Sequence, residues 1–234
     1  MRIPILIVLG LSAFPLQAQT GPRVCSPGAA RYIVEGIDVS GSYKLTVPAI
    51  LQTAALVEHE GCPGDTWFVR RINDRSYDDS ATMHSFRLPG PWLAVRNAFD
   101  RRQKEAAALA EHDFLRARVE AVARLREANP GAASMTDFTG FIAKAGELLA
   151  KAPEGSRKVL LIASDMVDTL GRTGAINLKD VAVVVMMFQG SANIDRTQRL
   201  KKTWEDRFRK LGASSVRFLD PDETAIARGL LSAP

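Results

Sequence analysis

Twice in this chain an apolar run of strand length stops at a carboxylate, and no other feature restricts the fold as much. Tyr32-Ile33-Val34-Glu35-Gly36-Ile37 is followed by Asp38, and Lys158-Val159-Leu160-Leu161-Ile162-Ala163 is followed by Ser164 and Asp165. Their length and β-branched content mark both as strands. A third run, Asp180 to Phe188, is rich in Val and apolar throughout, as a strand covered on both faces must be. Strands of this kind lie in parallel sheets, whose members are joined by crossover helices.

The helices have matching signatures. One is expected from about Thr46 to Glu60, with Thr46 as cap, Pro48 in the first turn, Leu51, Ala54, Ala55 and Leu56 as buried stripe and Gly61 as stop. Another opens at Thr136 and runs to about Ala152, with Phe141, Ala145 and Leu148 inward; a third spans Asp195 to Leu211, with Leu200, Trp204, Phe208 and Leu211 inward. Asp65–Ile72 and Thr82–Leu88, separated by the polar segment Asn73–Ser80, read as an antiparallel pair at a sheet edge. Ser215–Leu219 and Pro221–Leu231 supply a last strand and helix.

Residues 94–128 are atypical, with no Gly or Pro and 14 charged residues out of 35. One helix of that length would run about 50 Å at 1.5 Å per residue, more than a small sheet needs for a crossover. It is either a solvated amphipathic helix packed along one face or an arm projecting toward a partner.

Met1-Arg2, the apolar run Ile3–Phe14 and Leu16-Gln17-Ala18 together read as a secretory signal peptide cleaved after Ala18, with an uncleaved N-terminal anchor as the alternative. Residues 19–234 are then a single domain, with a helical insertion at about 92–129. Cleavage removes Arg2 and no acid, so the formal net charge falls from +5 to +4. That balance is too diffuse to point to nucleic acid, and no stable membrane span remains after cleavage. A periplasmic or secreted location follows. Cys25 and Cys62, an even pair in an exported chain, suit a disulfide at the N-terminal end of the sheet; two unlinked thiols are the alternative.

Asp38-Val39-Ser40-Gly41-Ser42 gathers a carboxylate and two hydroxyls after the first strand. Such hard oxygen donors suit Mg²⁺ or Mn²⁺, which bind few protein groups and retain waters. The order of Asp-x-Ser-x-Ser, a distant Thr at a helix start and a distant Asp after an apolar strand resembles the von Willebrand factor type A (VWA) family and its metal-ion-dependent adhesion site. The five positions are Asp38, Ser40, Ser42, Thr136 and Asp165. The resemblance covers roughly residues 30 to 230. It implies an α/β fold, Rossmann-like and doubly wound, with a mostly parallel sheet, one antiparallel edge strand and helices on both faces, plus the long charged helical insertion. It further implies a divalent cation and a protein partner whose acidic side chain completes the metal shell. Met166-Val167-Asp168 stands where the family often has Gly after the second acid, and Ser134-Met135 replaces Gly-Gly before the Thr. Asp168 either adds charge to the site or caps a neighbouring segment.

Two other function classes stay open: a Mg²⁺-dependent, phosphatase-like hydrolase with Asp38 as nucleophile, and a scaffold whose metal site is vestigial. The hydrolase lacks a second Asp two residues after Asp38, and His59, His84 and His112 fall on a helix end, an edge strand and the long helix.

Overall fold

The computed structural model describes residues 25, 30–90, 100–171, 175–226 and 231. The expected leader and residues 91–99 of the expected long helix lie outside them. In chain order the elements are β1 (Arg31–Asp38), α1 (Thr46–Glu60), β2 (Thr66–Ile72), β3 (Thr82–Arg87), α2 (Arg101–Arg126), α3 (Phe138–Ala150), β4 (Arg157–Ala163), β5 (Val181–Met186), α4 (Ile194–Lys210), β6 (Ser215–Phe218) and α5 (Pro221–Ile226).

The strands form one sheet in the order β3-β2-β1-β4-β5-β6. Only the β2–β3 pair is antiparallel, which puts β3 at the edge as expected; β1–β2, β1–β4, β4–β5 and β5–β6 are parallel. The order reverses between β1 and β4: β2 and β3 build outward on one side, β5 and β6 on the other. Alternation along β1 feeds two cores. Ile33 and Ile37 pack with Ala54 and Val57 of α1 and Val122 and Leu125 of α2. Val34 faces the other way, into a core with Phe141 and Ile142 of α3 and Trp204 and Phe208 of α4. The sheet is therefore doubly wound, with helices on both faces.

Gly36 sets how closely α3 approaches. A Cβ there would lie 2.3 Å from Cζ of Phe141, a ring that is itself fully buried. No side chain larger than hydrogen fits under that ring.

Several expected contacts shift. Leu51 is exposed, and the face of α1 turned to the sheet is Ile50, Thr53, Ala54 and Val57. Thr53 belongs to this stripe because its hydroxyl serves a buried acid, described below. Thr46 does not cap α1; its Oγ1 donates to the Asp38 carbonyl at 2.7 Å, a group left without a ladder partner where β1 stops. In α3, Leu149 takes the deeply buried place expected of Leu148, which is half-buried. The two readings of the charged helix each hold for part of it. All the buried residues of α2, namely Phe114, Ala121, Val122 and Leu125, lie in its C-terminal half, packed with α1 and β3, and none of residues 101–113 is buried.

The N-terminal end of the sheet is braced. Cys25 and Cys62 form a disulfide across 37 residues of sequence. Beside it, Arg31 donates to both Asp65 oxygens, with Nη2 2.5 Å from Oδ2, and Cys62 N donates to the same Oδ2 at 2.8 Å. The pair is buried, so each charge depends on the other.

Glu35 is buried completely between β1 and α1, and burial pushes its carboxyl up to about 8, against the partial opposition of the Thr53 hydrogen bond. Thr53 Oγ1 lies 2.5 Å from Glu35 Oε1 and 2.9 Å from the Ala49 carbonyl. A hydroxyl has one proton, so both contacts are satisfied when protonated Glu35 donates to Thr53 and Thr53 donates to Ala49. The folded protein then holds a proton that the unfolded chain releases above about pH 4.5. Stability falls as pH rises from there toward about 8, by at most about 1.4 kcal/mol per pH unit. Glu35→Gln, which keeps the neutral shape, is expected to flatten that fall, so its melting temperature exceeds wild type more at pH 8 than at pH 5. Gly36→Ala is expected to cost about 1–3 kcal/mol in urea denaturation through overpacking against Phe141.

Candidate metal centre

In open parallel α/β sheets, ligands sit outside the carboxyl ends of the strands, where the strand order reverses. Here that point lies between β1 and β4, and the two acids picked out in the sequence flank it. Ile37 pairs with Ala163 in the last rung, so the residues that follow, Asp38 and Ser164, stand side by side.

Asp38 is fully buried, and both its carboxylate oxygens are engaged. Oδ1 accepts from Ser40 N at 2.8 Å; Oδ2 accepts from Ser164 Oγ at 2.6 Å. Burial raises its pKa above the ordinary carboxylate value; the bonds from Ser164 and Ser40 oppose this, and the charge of Asp165 adds to it. The turn at Ser40 brings its Oγ to 3.1 Å from Ser42 Oγ. Ser40 is buried and Ser42 exposed, so the pair bridges interior and solvent.

The Asp38 loop is laced to the segment before α3. Ser40 pairs with Ala133 in an isolated parallel bridge, with Gly41 N donating to the Ala133 carbonyl and Ala133 N to that of Val39. Three residues on, Thr136 is buried and its backbone is held by Thr169: Thr136 N donates to Thr169 Oγ1 at 2.8 Å, and its carbonyl accepts from Thr169 N at 3.0 Å. Thr136 precedes α3 without capping it; the cap is Asp137, which accepts from Gly140 N. Among the described residues the Thr136 hydroxyl has no hydrogen bond to the other four candidates.

Asp165 follows Ser164 directly and is almost fully buried, with Oδ1 accepting from Val167 N at 3.0 Å. The next residue, Met166, has φ 59°, and its carbonyl accepts from Trp204 Nε1 at 3.1 Å. That left-handed turn, fixed by a core tryptophan, directs the chain off β4. Asp168 proves to be a cap: it accepts from Thr139 N and Oγ1 at the start of α3, and from Leu170 N and Gly171 N. Burial alone would raise its pKa, but the Thr139 and backbone bonds outweigh it and hold it below the ordinary carboxylate value.

Below the site, Tyr43 donates its hydroxyl to the Met187 carbonyl at 2.9 Å. Its phenol is pushed up by burial first, then by the negative field of Asp38, Asp165 and Glu35.

Two acids and three hydroxyls are a donor set suited to a hard cation that keeps part of its water shell. Among the described residues no group of three His, Cys, Asp or Glu side chains converges, so a soft-ligand site of the zinc type is not built. The three histidines lie apart from this end of β1 and β4: His59 in the last turn of α1, His84 opposite Val69 on β3, and His112 exposed on α2. Ser164 is the functional residue that the motif alone misses. Its signal is a hydroxyl one place before Asp165, at the rung beside Asp38.

No family model matches the chain, and no curated protein matches it. Solved structures similar to it include the pilus adhesin SpaC from Lactobacillus rhamnosus GG in its open conformation, at 10% identity, TM-score 0.43, covering 85% of this chain and 29% of that one. Also similar is a von Willebrand factor type A protein from Catenulispora acidiphila, at 17% identity, TM-score 0.40, covering 84% of this chain and 40% of that one. A third is an aerotolerance-related membrane protein from Bacteroides fragilis, at 12% identity, TM-score 0.41, covering 84% of this chain and 94% of that one. The chain spans less than half the length of the adhesin and of the Catenulispora protein. The fold is VWA-like. Its own sheet order, single antiparallel edge and two helical layers carry that statement.

Ser164→Ala leaves Asp38 Oδ2 buried with one bond fewer. Losing a hydrogen bond to a charged group costs about 1.5–3 kcal/mol, and urea denaturation is expected to show a loss in that range.

Proposed function

We propose that this chain is an exported VWA-like protein-interaction module that binds Mg²⁺ or Mn²⁺ and, through it, an acidic group of a partner protein. The observation that carries this reading is the Ser40–Ser42 hydroxyl pair, 3.1 Å apart, set on the Asp38 loop at the reversal of strand order and beside Asp165. Ser40, Ser42, Thr136 and Asp165 would hold the cation, with Asp38 supplying charge from beneath while Ser40 N and Ser164 keep its carboxylate oriented. A bound divalent cation would supply a positive centre with an open position for a carboxylate. Asp168 stays out of the shell because α3 engages it.

The burial of Asp38 favours binding over hydrolysis. A nucleophilic carboxylate needs an approach path to one oxygen, and both oxygens of Asp38 are covered by donors within the fold. The disulfide fits an oxidising compartment, in keeping with the periplasm or the exterior. Among the described residues no helix is long and apolar enough to cross a membrane.

Calorimetric titration of wild type with Mg²⁺ and Mn²⁺ is expected to show saturable binding, weakened at least about tenfold in Asp38→Ala and in Ser42→Ala. Ser42 is exposed, so its variant separates loss of a ligand from loss of fold. Failure of wild type to bind either cation, even with millimolar acetate present to complete the shell, would overturn the proposal.

A further inference from the structure

Next to the candidate metal centre is an open cavity of about 380 Å³ between the end of β2 and the segment joining α2 to α3. Its wall includes Val39, which lies between Asp38 and Ser40, and residues 130–132, which lead into the Ala133 bridge. Arg71, Asn73 and Asn129 provide its polar side chains, and no acidic residue lines it.

The hydrogen bonding inside this cavity is one-sided. Asn73 Oδ1 already accepts from Arg75 N at 2.9 Å, and Asn129 Oδ1 from Gly131 N at 3.0 Å. Each amide oxygen is thus consumed locally, and each Nδ2 is left with two N–H donors; among the described residues neither Nδ2 has an acceptor. Arg71 donates Nε to the Pro130 carbonyl at 2.7 Å and Nη2 to the Asn129 carbonyl at 3.1 Å. Those bonds fix the guanidinium in the wall and leave Nη1 unspent. A half-buried cation that is held in place by its own backbone loses little freedom on binding. The cavity therefore presents amide and guanidinium donors, one positive charge and no competing carboxylate.

We infer that this cavity is a second anchoring subsite for the partner, and that it takes a carboxylate carried near the one that reaches the metal. The choice of a carboxylate-bearing protein segment rests on the proposed metal-dependent function; the donor-only character of the cavity does not. The two subsites share backbone. The Val39–Gly41 strand is a wall of both, and the Asn73 carbonyl accepts from Asp137 N at 2.8 Å, holding the residue next to Thr136. A diacidic segment lying across the Asp38 loop would reach both. Planar, multidentate donation from Arg and amides matches a carboxylate, and a charged acceptor makes these bonds roughly twice as strong as neutral ones.

The test uses the full mature chain and the peptide acetyl-Asp-Gly-Asp-amide, with acetyl-Asp-Gly-Asn-amide as single-acid control, each with Mg²⁺ and with chelator. Side-chain NMR signals of Asn73 and Asn129 Nδ2 and of Arg71 Nε report occupancy, and Mg²⁺ affinity is measured on the same samples. Expected are shifts of these three signals with the diacidic peptide, and at least about fivefold weaker binding of the control in Mg²⁺. Asn129→Asp keeps the acceptor for Gly131 N while replacing a donor with a charge. It is expected to weaken the diacidic peptide at least about fivefold while Mg²⁺ affinity is unchanged or higher. Opposite signs of this kind are not produced by misfolding. Unmoved signals at saturating peptide, or equal peptide affinity in wild type and Asn129→Asp, would overturn the subsite and leave metal binding intact. Absence of Mg²⁺ binding with the cavity signals still shifting would instead remove the metal reading and keep the subsite.

Discussion

Everything at the functional end of this protein depends on β1 and β4 lying side by side. They are more than a hundred residues apart in sequence, yet they share a full parallel register from Arg31 to Ile37. That pairing creates the reversal of strand order, and the reversal creates the crevice. It also lets Ser164 bond to Asp38 across a sequence separation of 126 residues. Loop closure over such a distance must precede any contact that rewards it, so the pairing is the costly step of assembly. The apolar continuity of both strands supplies the return: one face meets α1, the other α3 and α4.

The candidate site is held more by backbone than by side chains. The Asp38 loop is fixed by the Ala133 bridge, the Thr136 backbone by Thr169, and the turn after Asp165 by Trp204. Asp168, which by sequence stood between two roles, anchors α3. Most polar groups around the crevice are committed to structure. The exceptions are the Ser40 and Ser42 hydroxyls and the donors around Arg71, which explains why the binding proposals concentrate there.

The strands and the five-residue motif were legible because their signals are local: an apolar run, a period, an acid at a fixed offset. What escaped depended on partners elsewhere in the chain. The stripe of α1 follows the expected i, i+3, i+4, i+7 spacing at Ile50, Thr53, Ala54 and Val57, but one member is polar, and only Glu35 across the interface explains it. Thr46 has the chemistry of a cap, yet its hydroxyl is claimed by the Asp38 carbonyl. In α3, Phe138, Phe141, Ile142, Ala145 and Leu149 continue one stripe, and Leu148 lies one position off it. Ser164 acquires its role only when β4 is placed beside β1, which no window along the sequence reveals. The charged helix could not be divided by composition, because its buried and unburied halves are equally rich in Ala and Arg.

The disulfide has a mechanical meaning beyond stability. Cys25 precedes β1, and Cys62 lies between α1 and β2. Tension applied through the chain on the N-terminal side of Cys25 divides at the covalent link. One path leads into β1; the other enters the α1–β2 junction, where the Arg31–Asp65 pair ties the two paths together. A pull from that side is thus shared by two strands at the end of the sheet farthest from the crevice. The loops that carry Asp38 and Asp165 sit at the opposite end, so strain entering there is absorbed before it reaches the residues proposed to grip a partner.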